Sequence, residues 1–354
     1  MTAGRISDAR LGELLQLAER ATATALTGEY EPTAAELRAA DADLEPAIRQ
    51  LLADDRVADA MALTAGLHFH WIDSGRAGDG QAMAELALRA AERDGAPTAG
   101  AVRARTMLTA SETAFRQGDQ AAATGWANGA IAAAEHVDDP VTAALAQVSL
   151  ARVAFRDGDA GRIESLSRAA LDRAGADQKV QRAAYHMLAW AAYTAGSRED
   201  AIAWFERSLA VREAMNDAFG SAVESANLAD MAIESGDLRR AASSLGEALA
   251  TATRLHNLYL LNSLIGSVGA LAVAAGDSEE ALKLLGAADA AYASTSLVPD
   301  PSTLEMMEAA AARARGAMTA QAADAATAAG RSLSMADASA LAAATCGRLE
   351  AAGA

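Results

Sequence analysis

The chain has 354 residues, 52% apolar but only 4% aromatic, with six prolines, a balance that favours helices and argues against a β-sandwich or barrel. Thirty basic against 47 acidic residues give a formal net charge of −17, which excludes a dedicated nucleic-acid surface. A single cysteine, Cys346, excludes an internal disulfide or a multi-cysteine metal site.

In chain order, Met1 to Arg20 interleaves Arg5, Asp8, Arg10, Glu13 and Arg20 with its leucines, so it lacks the unbroken apolar stretch of a signal peptide. No 18-residue uncharged apolar run follows, so a cytoplasmic chain without membrane contact is expected. Residues 1–59 read as N-terminal capping helices. His68, His70 and Asp73 are metal-ligand types, but residues two apart on a helix point about 200° from one another, so no metal is expected there. His68 and Trp71 stand where later units carry a small residue and an alanine, which predicts a terminal unit packed differently from the rest. Phe69 and Trp71 read as packing residues or as the apolar end of a groove.

From residue 60 to 293 a period dominates. Gly118-Asp119, Gly158-Asp159, Gly196-Ser197, Gly236-Asp237 and Gly276-Asp277 fall 40, 38, 40 and 40 residues apart, and Gly75 looks like an earlier, divergent member. Four residues before each glycine stand Ala114, Ala154, Ala192, Ala232 and Ala272; five after it stand Ala123, Ile163, Ala201, Ala241 and Ala281. Small residues at helical spacing let two antiparallel helices approach closely, and glycine makes the turn between them. A fixed period of this length is the signature of a helical solenoid. The pairs Asp54-Asp55 and Asp138-Asp139 fall at turns and helix starts, where acids favour the helix dipole.

Beyond the repeats, Leu297-Val298-Pro299-Asp300-Pro301 breaks the helix, Ser302 is the expected cap of the next one, Gly330 ends another, and Ser334 to Asp337 has the capping-box pattern of a last helix. Residues 294–354 read as C-terminal capping helices that close the solenoid or fold back toward its groove. Cys346 reads as a packing residue. No GxSxG elbow, HExxH pair or dinucleotide fingerprint occurs, and no cofactor is expected.

The order of small, apolar and Gly-Asp positions resembles the tetratricopeptide repeat (TPR), with longer loops between repeats. The resemblance implies an all-α, right-handed α-solenoid of about six helix-turn-helix repeats with divergent capping helices at both ends. A narrower resemblance rests on Leu37 to Arg49 (LRAADADLEPAIR), Leu282 to Ala291 (LKLLGAADAA) and Gly330 to Leu341 (GRSLSMADASAL). These look like the C-terminal TPR sensor region of actinobacterial LuxR-type and antibiotic regulatory protein-type regulators, the signal-transduction (STAND) ATPases. There is no GxxxxGK[ST] loop and no basic recognition helix after Leu341, so the NTPase and DNA-binding modules are expected to be absent.

In tetratricopeptide solenoids the first helix of each pair lines the concave surface, which the resemblance carries onto particular positions here. The unit ending at Gly118 offers Arg105, Glu112, Phe115 and Arg116, and the next offers Arg152, Phe155 and Arg156. Then come His186, Trp190 and Tyr193, and after them Asp230 and Glu234. Phe115, Phe155 and Tyr193 hold equivalent places and are expected to form an aromatic row. The arginines gather on one side and Asp230 with Glu234 on the other, with His186 and Trp190 between. The groove lacks the lysine- and asparagine-rich carboxylate clamp of chaperone-binding repeats.

The leading expectation is a stand-alone sensor-like protein that binds a small molecule or peptide in this groove, in a regulatory or specialised-metabolism setting, and that is compatible with homo-oligomers. Two alternatives stay open: a cofactor-independent enzyme using His186, Tyr193 and Asp230, with Asp230 holding His186, and a scaffold whose groove holds a partner protein.

Overall fold

A computed structural model describes residues 5–93 and 100–352, and among these residues it contains eighteen helices and no strand. Five repeats follow one plan. Inner helices α6 (Ala101–Arg116), α8 (Pro140–Arg156), α10 (Gln178–Thr194), α12 (Ala218–Ser235) and α14 (Leu258–Ala274) alternate with outer helices α7 (Gln120–His136), α9 (Ala160–Ala174), α11 (Arg198–Ala214), α13 (Leu238–Leu255) and α15 (Ser278–Ala293).

The Gly-Asp pair explains itself in the turn within each repeat. The five repeat glycines have φ between 70° and 90°, the left-handed conformation that ends the inner helix. The aspartate after the glycine caps the outer helix: Asp119 accepts from the Ala122 amide, Asp159 from Arg162, Asp237 from Arg240 and Asp277 from Glu280. Turns between repeats use the same geometry from other residues. Asp138, Asn216 and His256 take positive φ, and Asp139, Asp177, Asp217 and Asn257 cap the next inner helix.

Ahead of the repeats lie α1 (Asp8–Thr24), α2 (Tyr30–Ala53), α3 (Val57–Gly66), α4 (His68–Asp73) and α5 (Ala77–Arg93). The expectation of a differently packed first unit is met by an exchange of sizes. Trp71, fully buried, takes the place of the alanine before the turn, and Gly80 takes that of the small residue after it. A Cβ on Gly80 would lie 2.6 Å from Trp71 Cγ. One large side chain therefore fills what two small ones fill elsewhere. The terminal helices α16 (Pro301–Gly316), α17 (Ala320–Arg331) and α18 (Met335–Ala352) pack over α13 to α15, with Cys346 buried in their shared core. Ser334 does cap α18, its hydroxyl accepting from the Asp337 amide and donating to the Asp337 carboxylate, though the return bond to the Ser334 amide that completes a capping box is not made. Ser302, however, is not the cap of α16. Asp300 holds that position, and its carboxylate is engaged elsewhere.

The solenoid returns on itself. The Ser296 amide donates to Gly75 O at 3.3 Å, the Gly78 amide donates to Ser296 Oγ at 2.9 Å, and the Val298 amide donates to Arg116 O at 2.8 Å. On the other side Arg38 donates to Leu255 O at 3.2 Å, and Asn257 Nδ2 donates to Asp73 Oδ1 at 2.7 Å. The two ends of the repeat array thereby meet across the groove, which becomes an axial chamber still partly open to solvent. None of the helices among the described residues is long and apolar enough to cross a membrane.

Candidate functional site

The chamber has a volume of about 390 Å³, within the range of small-ligand sites. The inner helices supply its wall. Thr22, Ala25 and Leu26 near the end of α1 bound one side with His68, Phe69 and Asp73 of α4, and Tyr292, Asp300, Ser302 and Thr303 bound the other. Of the residues expected to face the groove, Arg105, Glu112, Phe115, Arg116, Arg152, Phe155, His186, Trp190 and Asp230 line it.

Arg156, Tyr193 and Glu234 do not. Tyr193 turns outward, and its hydroxyl donates to Glu234 Oε1 at 2.9 Å, while Arg198 pairs with the same carboxylate. The aromatic row is accordingly Phe115, Phe155 and Trp190, with Phe155 and Trp190 tilted at 30° and 4.8 Å between centroids. The expected division of charge also fails, because opposite charges pair directly. Arg152 binds Glu112, which also accepts from Ser149. Burial works against the Glu112 charge, but Arg152, Arg116 and His68 outweigh it and hold the carboxyl at about 2. Arg116 and Arg156 are occupied by the closing segment. Arg116 Nη1 donates to Tyr259 Oη at 2.6 Å and to Asp300 Oδ2 at 3.2 Å, and Arg156 donates to Pro299 O at 3.1 Å and Asp300 Oδ1 at 3.4 Å. The two guanidiniums also lie over the Tyr259 and Phe115 rings, each at 4.4 Å.

His186 is held by Glu224, not by Asp230. Its Nδ1 lies 3.0 Å from both Glu224 oxygens, and its Nε2 lies 3.1 Å from Trp190 Nε1, an N–H that can only donate. The ring is therefore neutral, with its proton on Nδ1 and both nitrogens engaged. Burial lowers its pKa further than Glu224 raises it. Glu224, fully buried, also receives Ser208 Oγ at 2.6 Å, Arg212 Nε at 3.0 Å and Asn227 Nδ2 at 3.0 Å. Arg212 Nη1 continues the network to Asp217 Oδ2 at 3.3 Å, with Arg182 at 3.7 Å. Burial opposes the Glu224 charge, yet His186 and Arg212 hold its carboxyl at about 2. This cluster stands between α10 and α12, which are splayed relative to the other adjacent inner helices.

The trio His186, Tyr193 and Asp230 is thus not brought together. His68 and His70 also part company: His68 Nδ1 lies 3.2 Å from Thr109 Oγ1 at the chamber wall, and His70 Nε2 lies 2.7 Å from Asp41 Oδ1 behind it. Sequence reasoning missed Glu224, Arg212, Tyr259 and Asp300. One signal was available for Glu224. Twelve residues before the turn glycine the other repeats carry Thr106, Ala146, Ala184 and Leu264, all uncharged and buried, so a carboxylate in that register must have a partner.

No family model matches the chain, and no curated protein does. Solved structures do. A Rap protein complexed with Competence and Sporulation Factor matches with a TM-score of 0.58 at 13% identity, over 90% of this chain and 88% of that one. Aspartyl phosphate phosphatase F from Bacillus subtilis matches with a TM-score of 0.54 at 13% identity, over 94% and 97%. The likeness is one of fold. It makes nearly the whole chain an all-α, TPR-like helical-repeat solenoid, and at this identity it transfers no residue's role.

Proposed function

We propose that the chain is a receptor whose axial chamber encloses a small molecule or the end of a short peptide. The observation that carries this is the chamber: about 390 Å³, walled by Phe115, Phe155 and Trp190, with a few polar groups converging on it. Catalysis is the weaker reading, because His186 has no ring nitrogen free to take a proton. The regulatory setting implied by the resemblance to LuxR-type sensor regions fits a receptor, as does a fold neighbour complexed with Competence and Sporulation Factor.

Native mass spectrometry of the purified protein, followed by denaturing extraction, tests the reading. A co-purifying small molecule or short peptide that raises the melting temperature of the wild type, and fails to do so for Trp190→Ala, supports it through linkage. An equal rise in the variant places the site outside the chamber and refutes it.

A further inference from the structure

The carboxylates of the chamber wall differ in one respect. Glu112 is matched by Arg152, Asp300 by Arg116 and Arg156, Asp139 caps α8, and Asp73 receives the Asn257 amide. Asp230 alone among them has no cationic or amide partner within the described residues: its Oδ1 is sealed from solvent without a hydrogen bond, and the one group that relieves the carboxylate is the Ser267 hydroxyl. Burial pushes the Asp230 carboxyl up to about 7, against slight relief from Ser267, and no cation of the protein acts on it. A group so placed is costly to keep charged unless something brought into the chamber compensates it.

Its surroundings say what that something is. Asp230 stands six residues before its turn glycine, the register that Trp190 occupies on the preceding inner helix, and both side chains line the chamber. Phe155 extends the apolar face beside the indole. Resting on the receptor reading above, we infer that Asp230 is the recognition group for a protonated amine on the ligand, whose hydrocarbon part packs on Trp190 and Phe155. The ammonium supplies both the missing charge and the missing donors, and the ring faces favour a neighbouring cation.

The test uses calorimetric titration of the full chain at pH 8 with 2-phenylethylamine, its neutral isostere 2-phenylethanol, and 3-phenylpropanoate. The wild type is expected to bind the amine at least tenfold more tightly than the alcohol and to reject the carboxylate. Asp230→Asn is expected to bring amine and alcohol within twofold of each other. Equal affinities in the wild type, or a preference that survives in Asp230→Asn, overturn the amine inference and leave the receptor reading standing. Failure of all three probes in a protein that also carries no co-purified molecule overturns both. A second measurement needs no ligand. The raised carboxyl of Asp230 weakens the fold as pH rises from about 4 through about 7, so Asp230→Asn should raise the melting temperature of the empty protein at pH 8 and leave it unchanged at pH 4. A lower melting temperature at pH 8 shows that the protein itself satisfies Asp230, and the inference falls.

Discussion

Replacing Glu224 with glutamine keeps the side chain's shape and removes its charge from a site where His186, Ser208, Arg212 and Asn227 converge. Breaking a buried ion pair by removing one partner costs about 3–5 kcal/mol, because the remaining charge is left uncompensated. The carboxyl held at about 2 in the fold, against an ordinary 4.5, gives the same sign. Because the folded pKa is the lower one, this stability is complete above the ordinary carboxyl range and is lost as pH falls toward 2. His186, also lowered in the fold, adds acid sensitivity in the same direction. Urea unfolding followed by circular dichroism at 25 °C should show Glu224→Gln weaker than wild type by about 3 kcal/mol at pH 7, with the difference falling by roughly half or more at pH 3. Hydrogen exchange should place the loss in α10 to α12, since repeats couple mainly to their neighbours. A variant within about 1 kcal/mol of wild type at pH 7, or an undiminished difference at pH 3, would refute the reasoning.

Two further outcomes follow from close contacts and from the closing segment. Gly330→Ala drives a Cβ into Lys283 O where α17 crosses α15, so it should cost more than about 2 kcal/mol in urea unfolding. Gly347→Ala, a helical position with nothing within 4 Å, should instead gain up to about 1 kcal/mol, and similar values for the two would refute the account of the crossing. Asp300→Ala removes the carboxylate shared by Arg116, Arg156 and Tyr259. Amide exchange at Ser296 and Val298, whose N–H groups tie the segment to Gly75 and Arg116, should then quicken at least tenfold while α8 and α10 stay protected. Unchanged exchange there would show that the backbone bonds alone hold the segment.

What could be read in the chain follows from which contacts are local. The glycine period, the small residues around it and the aspartates after it all act within one helical hairpin, so the solenoid was legible without its tertiary structure. The inner-helix register likewise picked out Glu112, Phe155 and Trp190. It failed at Tyr193 and Glu234, which bond to each other outside the chamber, and at Arg156, which is claimed by Asp300. Those errors share a cause: a repeat register says which side of a helix a residue is on, not which neighbour reaches it first. Asp300 and Tyr259 come to the site through contacts with Arg116 184 and 143 residues away, and no periodic signal carries that information, whereas Phe69, read as a packing residue or the apolar end of a groove, does line the chamber.

Ordinary helical repeats can be lengthened or shortened like beads on a string, because each unit meets only the one before and the one after. Here Gly75 and Ser296, separated by 221 positions, are joined as neighbours, so the string has become a ring. A ring has a fixed count. Removing or duplicating one unit of about 40 residues would rotate the last helix pair out of phase with the first, so that Val298 could no longer meet Arg116 nor Asp300 bridge its two arginines. The ring's closure joins segments far apart in sequence, so the loop entropy it must overcome is large. The number of repeats is therefore as much a part of this site as any side chain that lines it.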